Sequence, residues 1–514
     1  MIERAQRLVR GDNHHWWALS TVALGTFMST LDSSIVNVSL PVILQYFRTD
    51  LATIQWVVLA YLLTITALLL TFGRLADIWG RKRVYTIGFG VFTLGSLCCA
   101  LSGSPGQLIA ARVLQAVGGA MIQANGLAIT SAVFPEEQRG RALGIQGTVV
   151  ATGTTLGPSF GGLLTGTFGW QANFLVNLPV GIFGIGLALL VLEERRISTR
   201  RPGAGKFDPL GALLAAVTLV TLILALNRGG RAGWDSPAIL ALLAVAAVSL
   251  VAFLVVESRV AAPLISLALF RIRSFATGSS AAFLSFLAIA AHFFLMPFFL
   301  QLALGFPPGQ AGLLLTPTSL TLAVVAPLSG YLSERLGARL LSSIGLSISC
   351  LALFLLSRLT TDVHYLDVLG RLILLGVGMG LFNSPNSSAV FASVPRAQYG
   401  VVGGFISMVR NSGQAVGQAV AGAVVVSAIA PVVGSGGLDA LRAGVGSGTD
   451  TAPLLRAFLT GLQHAYLLAA AFAACGALIS VLRGSAPATT PATGQQPAPA
   501  DAPTSAGGAA QNAD

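Results

Sequence analysis

Apolar runs of about twenty residues recur along nearly the whole chain, separated by short polar breaks. "WVVLAYLLTITALLLTF", ending at Phe72, and "VYTIGFGVFTLGSLCCALSG", from Val84 to Gly103, are two of them. The pattern predicts fourteen spans, centred near residues 28, 62, 93, 118, 153, 182, 218, 246, 288, 321, 349, 379, 415 and 471. Each is long enough to cross the hydrocarbon core of a bilayer as a helix. A helix is required there, because every backbone polar group must find its partner within its own segment. Composition agrees. Of 514 residues, 54% are hydrophobic and 10% charged, against roughly 25% charged in a soluble domain. The fold class predicted is an all-α polytopic membrane protein.

The polar breaks differ in charge. "GRLADIWGRKR" (Gly73–Arg83) presses Arg74, Asp77, Arg81, Lys82 and Arg83 into one short connection. With the N-terminus placed in the cytoplasm, the external loops hold only Arg48, Arg228, Arg231, Arg358, Arg442 and Arg456. Arg112, Arg371 and Arg410 fall within spans, and the remaining basic residues are cytoplasmic. Such a bias sets orientation and predicts that both termini are cytoplasmic. The formal net charge of +11 therefore reports topology and not a nucleic-acid partner. Lys82 and Lys206 are the only lysines among 30 basic residues, a bias expected of a GC-rich bacterial gene. The first apolar run is too long for a cleavable signal and is read as a retained span. Cys98, Cys99, Cys350 and Cys475 all fall in spans. They form neither a disulfide framework nor a metal-ligand set and are read as packing residues. No cofactor is expected.

The charged stretch has an echo. "GRLADIWGRK" aligns with "GYLSERLGAR" at one constant offset, pairing Gly73 with Gly330, Asp77 with Glu334, Gly80 with Gly337 and Lys82 with Arg339. "RVLQAVGGAM" from Arg112 resembles "RLILLGVGMG" from Arg371 at nearly the same offset. These matches predict two pseudo-symmetric six-helix bundles, residues 12–195 and 274–483, with two inserted spans in a linker over 196–273. Residues 1–11 form a cytoplasmic N-terminus, and the Pro/Ala/Thr-rich residues 484–514 a disordered cytoplasmic tail. Within the linker, Glu257–Ser274 has basic ends around an apolar run and is either an interfacial helix or a plain connection. Parallel repeats imply a site near the bilayer midplane, between the halves.

Asp32 is the one acidic residue, of 19, placed deep within a span. A buried ionised carboxylate must be paired or protonated. Burial disfavours its charged form and a neighbouring cation favours it. A carboxylate moved between such environments takes up and releases a proton. Arg112 in the fourth span is the expected cation, and arginine keeps its own charge. A static packing pair is the structural alternative. Gly153, Gly157 and Gly161 fall at i, i+4 and i+8, one helix face, with Gly162 beside them. That spacing lets two helices approach closely, and Pro158 removes a backbone donor and bends the helix. Gly73 and Gly80 suit a tight turn. Asn37, Gln55, Gln115, Gln123, Asn125, Asn383 and Asn386 either line a cavity or bond across helices. His292 carries the side chain that changes charge near neutral pH, or packs. Arg410 faces the cavity or pairs with helix carbonyls.

Other chemistries lack support. Gly157-Pro-Ser159-Phe-Gly161 satisfies G-x-S-x-G, but that nucleophile needs a strand–turn–helix and a His partner. No phosphate-binding G-x-x-x-x-G-K-[ST] occurs, so active transport would draw on an ion gradient. With no catalytic constellation, an enzyme is not expected.

"GRLADIWGRKR" resembles the cytoplasmic signature loop of the major facilitator superfamily. "LDSSIVNVSLP" (Leu31–Pro41) resembles the first-span signature of its 14-span drug:proton antiporter branch. "RVLQAVGGA" (Arg112–Ala120) resembles the fourth-span arginine motif, and "GTTLGPSFGG" (Gly153–Gly162) the fifth-span antiporter motif. Ala116 stands where the arginine motif usually has glycine, and Gln171–Ala172 where Arg-Trp is usual. The resemblance implies a proton-coupled exporter of amphipathic organic compounds in the inner membrane, working by alternating access. Asp32 and Arg112 would couple the proton. Gly73, Asp77, Gly80 and Arg81 would gate, with Asp77 docking on the start of span 13, near Gly400. Gly153, Gly157, Pro158, Gly161 and Gly162 would seal one side. With one acid in the cavity, cargo is expected to be neutral, anionic or singly cationic, not dicationic. A dedicated exporter of one metabolite, lipid or siderophore, an uptake symporter, and a non-transporting scaffold or sensor are the other readings. The expected partners are cargo, protons and the lipid bilayer.

Overall fold

The computed structural model describes residues 14–197, 208–260, 267–395, 399–433 and 452–483. The expected N-terminal segment 1–11 and tail 484–514 lie outside them. In chain order the helices are α1 (His14–Phe47), α2 (Leu51–Trp79), α3 (Arg81–Ala100), α4 (Pro105–Val133) and α5 (Glu136–Phe168). There follow α6 (Ala172–Leu175), α7 (Asn177–Val191), α8 (Glu194–Ile197), α9 (Pro209–Ala232) and α10 (Pro237–Arg259). The last six are α11 (Arg273–Phe298), α12 (Pro308–Leu336), α13 (Ala338–Leu356), α14 (Tyr365–Ala392), α15 (Tyr399–Val433) and α16 (Ala452–Val481).

The polar breaks carry the helix starts. Asp50 accepts the Thr53 N–H at 2.8 Å to open α2. Ser104 precedes Pro105 and accepts the Gln107 N–H, and Asp208 precedes Pro209 and accepts the Gly211 N–H at 2.9 Å. A polar cap followed by proline suits the first turn, where the backbone donors have no partner inside the helix.

Among the described residues, thirteen segments are long and apolar enough to cross a membrane; α6 and α7 together make one of them. The expected span near residue 153 is α5, which is not among the thirteen. It is 33 residues long and packed between α1 and α12. Glycine, serine and threonine fill the two faces it packs on α1 and α12, while Leu156, Phe160 and Leu163 stay on its exposed side. Exposed Leu240, Val248, Val251 and Leu254 give α10 a lipid-facing surface. The segment Glu257–Ser274, expected as either an interfacial helix or a plain connection, is divided between the end of α10, a 3-10 turn over Leu267–Arg271 and the first residues of α11. Residues 261–266 lie outside the described residues.

Helices α1–α7 pack on one another, as do α11–α16. The two halves meet along α5–α12 and α2–α15, and α9 lies against both members of the second seam. One end of the bundle, here the terminal end, holds the start of α1 and the finish of α16. At the opposite, far end, Gln301 donates to Val38 O at 2.8 Å, and Gln55 donates to Gln418 O. Asn227 on α9 joins this far-end group. It accepts from Trp56 Nε1 at 2.9 Å and donates to Gln55 Oε1 at 3.0 Å.

The sequence echo is an echo in backbone. Gly80, between α2 and α3, has φ 104°, and Gly337, between α12 and α13, has φ 83°. Both N–H groups bond the carbonyl four residues back, Ala76 O at 2.9 Å and Ser333 O at 3.0 Å. Glycine alone enters that region without strain. The following helices touch backbone to backbone at matching places, Gly88 against Gly118 and Gly345 against Gly378.

These contacts predict opposite signs for similar substitutions. A Cβ at Gly118 would lie 2.6 Å from Gly88 O and 2.7 Å from Phe92 Cα, whereas one at Gly90 meets nothing within 4 Å. Gly118→Ala should cost about 1–3 kcal/mol. Gly90→Ala should stabilise by up to about 1 kcal/mol through helix propensity. Thermal unfolding in detergent reads both, and equal melting temperatures would refute the close packing.

Candidate functional site

Asp32 lies midway along α1 with no exposed surface. Its Oδ2 accepts from Arg112 Nη1 at 2.6 Å. Its Oδ1 accepts from Gln115 Nε2 and from Asn177 Nδ2, both at 2.8 Å. One turn along α4 separates Arg112 from Gln115, so both reach the same face. Asn177 opens α7, where the chain re-enters a helix after α6. Ser96 on α3 accepts from Gln115 at 3.2 Å and Asn177 at 3.0 Å and donates to Phe174 O at 2.9 Å. Five spans of the first half thus converge on one carboxylate, for α2 contributes as well. Arg112 Nε donates to Val57 O at 3.0 Å, and the guanidinium lies 4.0 Å from the centre of the Tyr61 ring. Tyr61 Oη pairs with Ser29 Oγ at 3.2 Å, and Gln123 Nε2 donates to the same hydroxyl at 2.9 Å. The expected Asp32–Arg112 pair is present. Gln115 and Gln123 serve this network, while Asn177, Ser96 and Tyr61 were not singled out from sequence. Asn177 stands in the Asn-x-Pro of "NLPVG", which was its available signal; nothing marks Ser96 or Tyr61.

The glycines of α5 make two faces. A Cβ on Gly153 or Gly157 would collide with Thr30 or Ser34 of α1, and one on Gly161 would lie 2.6 Å from Ile35 O. Gly162 faces the other half, where a Cβ would stand 2.5 Å from Pro308 O and 3.0 Å from the Gly312 Cα. Thr155 donates to Ser319 O at 3.1 Å, and Ser159 bonds Thr316 across the same seam. Pro158 lies inside this helix and its carbonyl faces Gly312. Ser159 is therefore a seam residue on a helix, with no nucleophile elbow around it.

At the terminal end, Glu194 holds the signature loop. Its carboxylate accepts from Arg81 N at 2.9 Å and Lys82 N at 3.0 Å, capping α3. A side chain at Gly80 would strike that carboxylate. Asp77 Oδ1 accepts from Arg81 Nη2 at 3.0 Å, and Arg81 Nη1 donates to Ala128 O at 3.2 Å. Asp77 is thus tied within its own half in this conformation. A Cβ on Gly73 would meet nothing within 4 Å. The side chains of residues 399–401 lie outside the described residues.

The other polar residues do not gather at Asp32. Asn37 donates to Ser33 O at 3.3 Å and Asn125 to Met121 O at 2.8 Å, each within its own helix. Gln55 belongs to the far-end seam. Asn383 and Asn386 line a cavity between α11, α14 and α15, where Asn386 donates to Gly278 O at 3.1 Å and accepts from Arg483. His292 is fully buried, edge-on to Phe293, and neither ring nitrogen has a hydrogen-bond partner. Arg410, half-buried on α15, has no hydrogen-bond or ion-pair partner among the described residues.

A family model described as Major Facilitator Superfamily matches residues 22–418. The chain is 35% identical over 407 residues to the riboflavin transporter RibZ of Clostridioides difficile, covering 79% of this chain and 87% of that protein. It is 37% identical over 407 residues to the multidrug resistance protein Stp of Mycobacterium tuberculosis, covering 79% and 75%. It is 31% identical over 417 residues to the tetracenomycin C resistance and export protein of Streptomyces glaucescens, covering 81% and 77%. Among solved structures, an inward-facing, unoccupied bacterial homolog of the human lysosomal transporter Spinster superposes with a TM-score of 0.64 at 19% identity. That match covers 92% of this chain and 97% of the other, and it concerns the fold alone.

Arg112→Gln should destabilise the protein by about 3–5 kcal/mol, because it strands a buried carboxylate without its cation. Adding Asp32→Asn should return much of that loss. Thermal unfolding of the two single variants and the double variant measures it; strictly additive losses would show that the pair is not coupled.

Proposed function

The chain belongs to the major facilitator superfamily, and from that premise we propose that it exports amphipathic organic compounds in exchange for protons. The observation that carries this reading is the position of Asp32, a carboxylate with no exposed surface whose cation sits on a different helix. While α1 and α4 hold together, Arg112, Gln115 and Asn177 favour the ionised form. A shift of α1 against α4 leaves the carboxylate without a cation in an apolar interior. Protonation is then the cheaper state. Inward and outward conformations differ in that contact, so one proton is bound on one side and released on the other.

The basic residues of the connections at the terminal end support placing that end in the cytoplasm of a bacterial cell, with the protein in the inner membrane and both termini inside. The far end, joined by Gln301–Val38 and Gln55–Gln418, is then the external side, packed shut. The signature loop closes the cytoplasmic side in the opposite state, when Asp77 leaves Arg81 for the start of α15. The α5 glycines let the halves rock on a close-packed seam. Relatives named for multidrug resistance and for tetracenomycin C export support outward movement of organic molecules. The riboflavin transporter among them favours a second reading, a carrier of one metabolite.

Purified protein in sealed liposomes under an imposed pH gradient tests both. Addition of lipophilic compounds should release protons from the gradient, and Asp32→Asn should abolish that flux while the protein stays folded. Wild-type flux in Asp32→Asn would remove Asp32 from coupling. Response to a single compound from a broad panel would select the dedicated carrier.

Asp77→Asn should deplete the cytoplasm-closed state. Spin-label distances between the terminal ends of α2 and α15 report that population; an unchanged distribution removes the latch.

A further inference from the structure

We infer that Arg410 is an anion-accepting group between the halves, so that the cargo is an amphipathic molecule bearing one acidic group, typified by a carboxylate. The inference rests on the transport reading and specifies its substrate class. Arg410 lies about three turns into α15, far from either helix end. Its place on the helix is fixed by its neighbours. Gly403, two turns before it, faces Leu127 of α4. Gln418 and Gly422, two and three turns beyond it, face Gln55 of α2. Gly403 and Arg410 stand one above the other on α15, in line with Gly417, which packs on Leu287 of α11, so Arg410 lies at the border between the face turned to the other half and the face turned to α11. Gly403 on its terminal side and Gln418 on its far side place Arg410 between two contacts with the other half.

Charge makes this position informative. Asp32 and Arg112 cancel each other within their own half. Arg371, the remaining intramembrane arginine, donates to Leu355 O at 2.9 Å. Arg410 alone of the three has neither an acid nor a carbonyl, and its nitrogens are absent from the fully enclosed polar atoms of the interior. The spans therefore hold one arginine, half-buried, whose guanidinium no described acid or carbonyl engages. An ionised side chain at membrane depth is costly, and its cost falls when an anion arrives. A guanidinium favours carboxylate, which it binds through charge-assisted hydrogen bonds.

The test uses a dansylated amino acid and its methyl ester, which differ in one negative charge. Binding is followed by dansyl fluorescence to full-length protein in nanodiscs of zwitterionic lipid. The wild-type protein should favour the carboxylate over the ester by about tenfold or more. That ratio should fall towards one in Arg410→Gln and recover in part in Arg410→Lys, with folding checked by thermal unfolding. Equal affinity for acid and ester in the wild type, or a ratio unchanged in Arg410→Gln, overturns the inference. A ratio that collapses when anionic lipid replaces zwitterionic lipid assigns the charge to a headgroup and overturns it as well. Proton flux in liposomes separates the two readings. Flux with both compounds and no acid preference leaves the exporter and removes the anion site. Acid preference without flux leaves the anion site and removes the exporter.

Discussion

Helices inside a bilayer gain nothing from burying leucine against leucine, since lipid is as apolar as either. They associate where backbones come close enough for dense packing and where polar groups bond across the gap. That constraint organises this protein. Gly88 on Gly118 and Gly345 on Gly378 bring together the same pair of helices in each half. Gly153, Gly157 and Gly161 bring α5 onto α1, and Gly162 brings it onto α12. One helix thus carries two contact faces, one fixed within its half and one shared between halves. The shared face uses glycines and hydroxyls in place of large interlocking side chains. Such a surface can slide by small steps without emptying a pocket or stranding a charge.

The charged groups obey the same economy. Asp32 is held by donors from one half only, so motion between the halves need not break its bonds directly. The effect of such motion must pass through the tilt of α1 against α4. Arg112 is stacked on the Tyr61 ring of its own half, while Arg410 belongs to α15 of the other. Proton and cargo would then act on different side chains and not on a shared carboxylate.

Much of this was legible in sequence because charge in a membrane span is rare. Asp32 and Arg112 stand out against apolar neighbours, and pairing them needs no other information. The repeat was legible because two loops share glycines and charges at one offset, and Gly80 and Gly337 prove to share a backbone conformation. What stayed hidden depends on helices far apart in the chain. Asn177 and Ser96 are ordinary polar residues until α3 and α7 bring them to the carboxylate. Glu194 resembles any charged residue after a span, yet it caps α3. Gln55 and Asn386 were equivalent as candidates for the cavity or for cross-helix bonds, and rotation about the helix axis sent one to the far-end seam and the other to Gly278. Small residues on its two packed faces also explain the weak hydropathy of α5, whose exposed positions still carry Leu156, Phe160 and Leu163.

The inserted hairpin makes the two seams unequal. Helix α9 lies over the α2–α15 junction and is fastened there through Asn227 to Gln55 and Trp56. Nothing comparable covers the α5–α12 junction among the described residues. A molecule dissolved in the bilayer and approaching sideways therefore meets a walled flank on one side and a bare one on the other. Lateral entry, if the halves part at all within the membrane, is one-sided. The insertion gives a nearly two-fold molecule a front and a back.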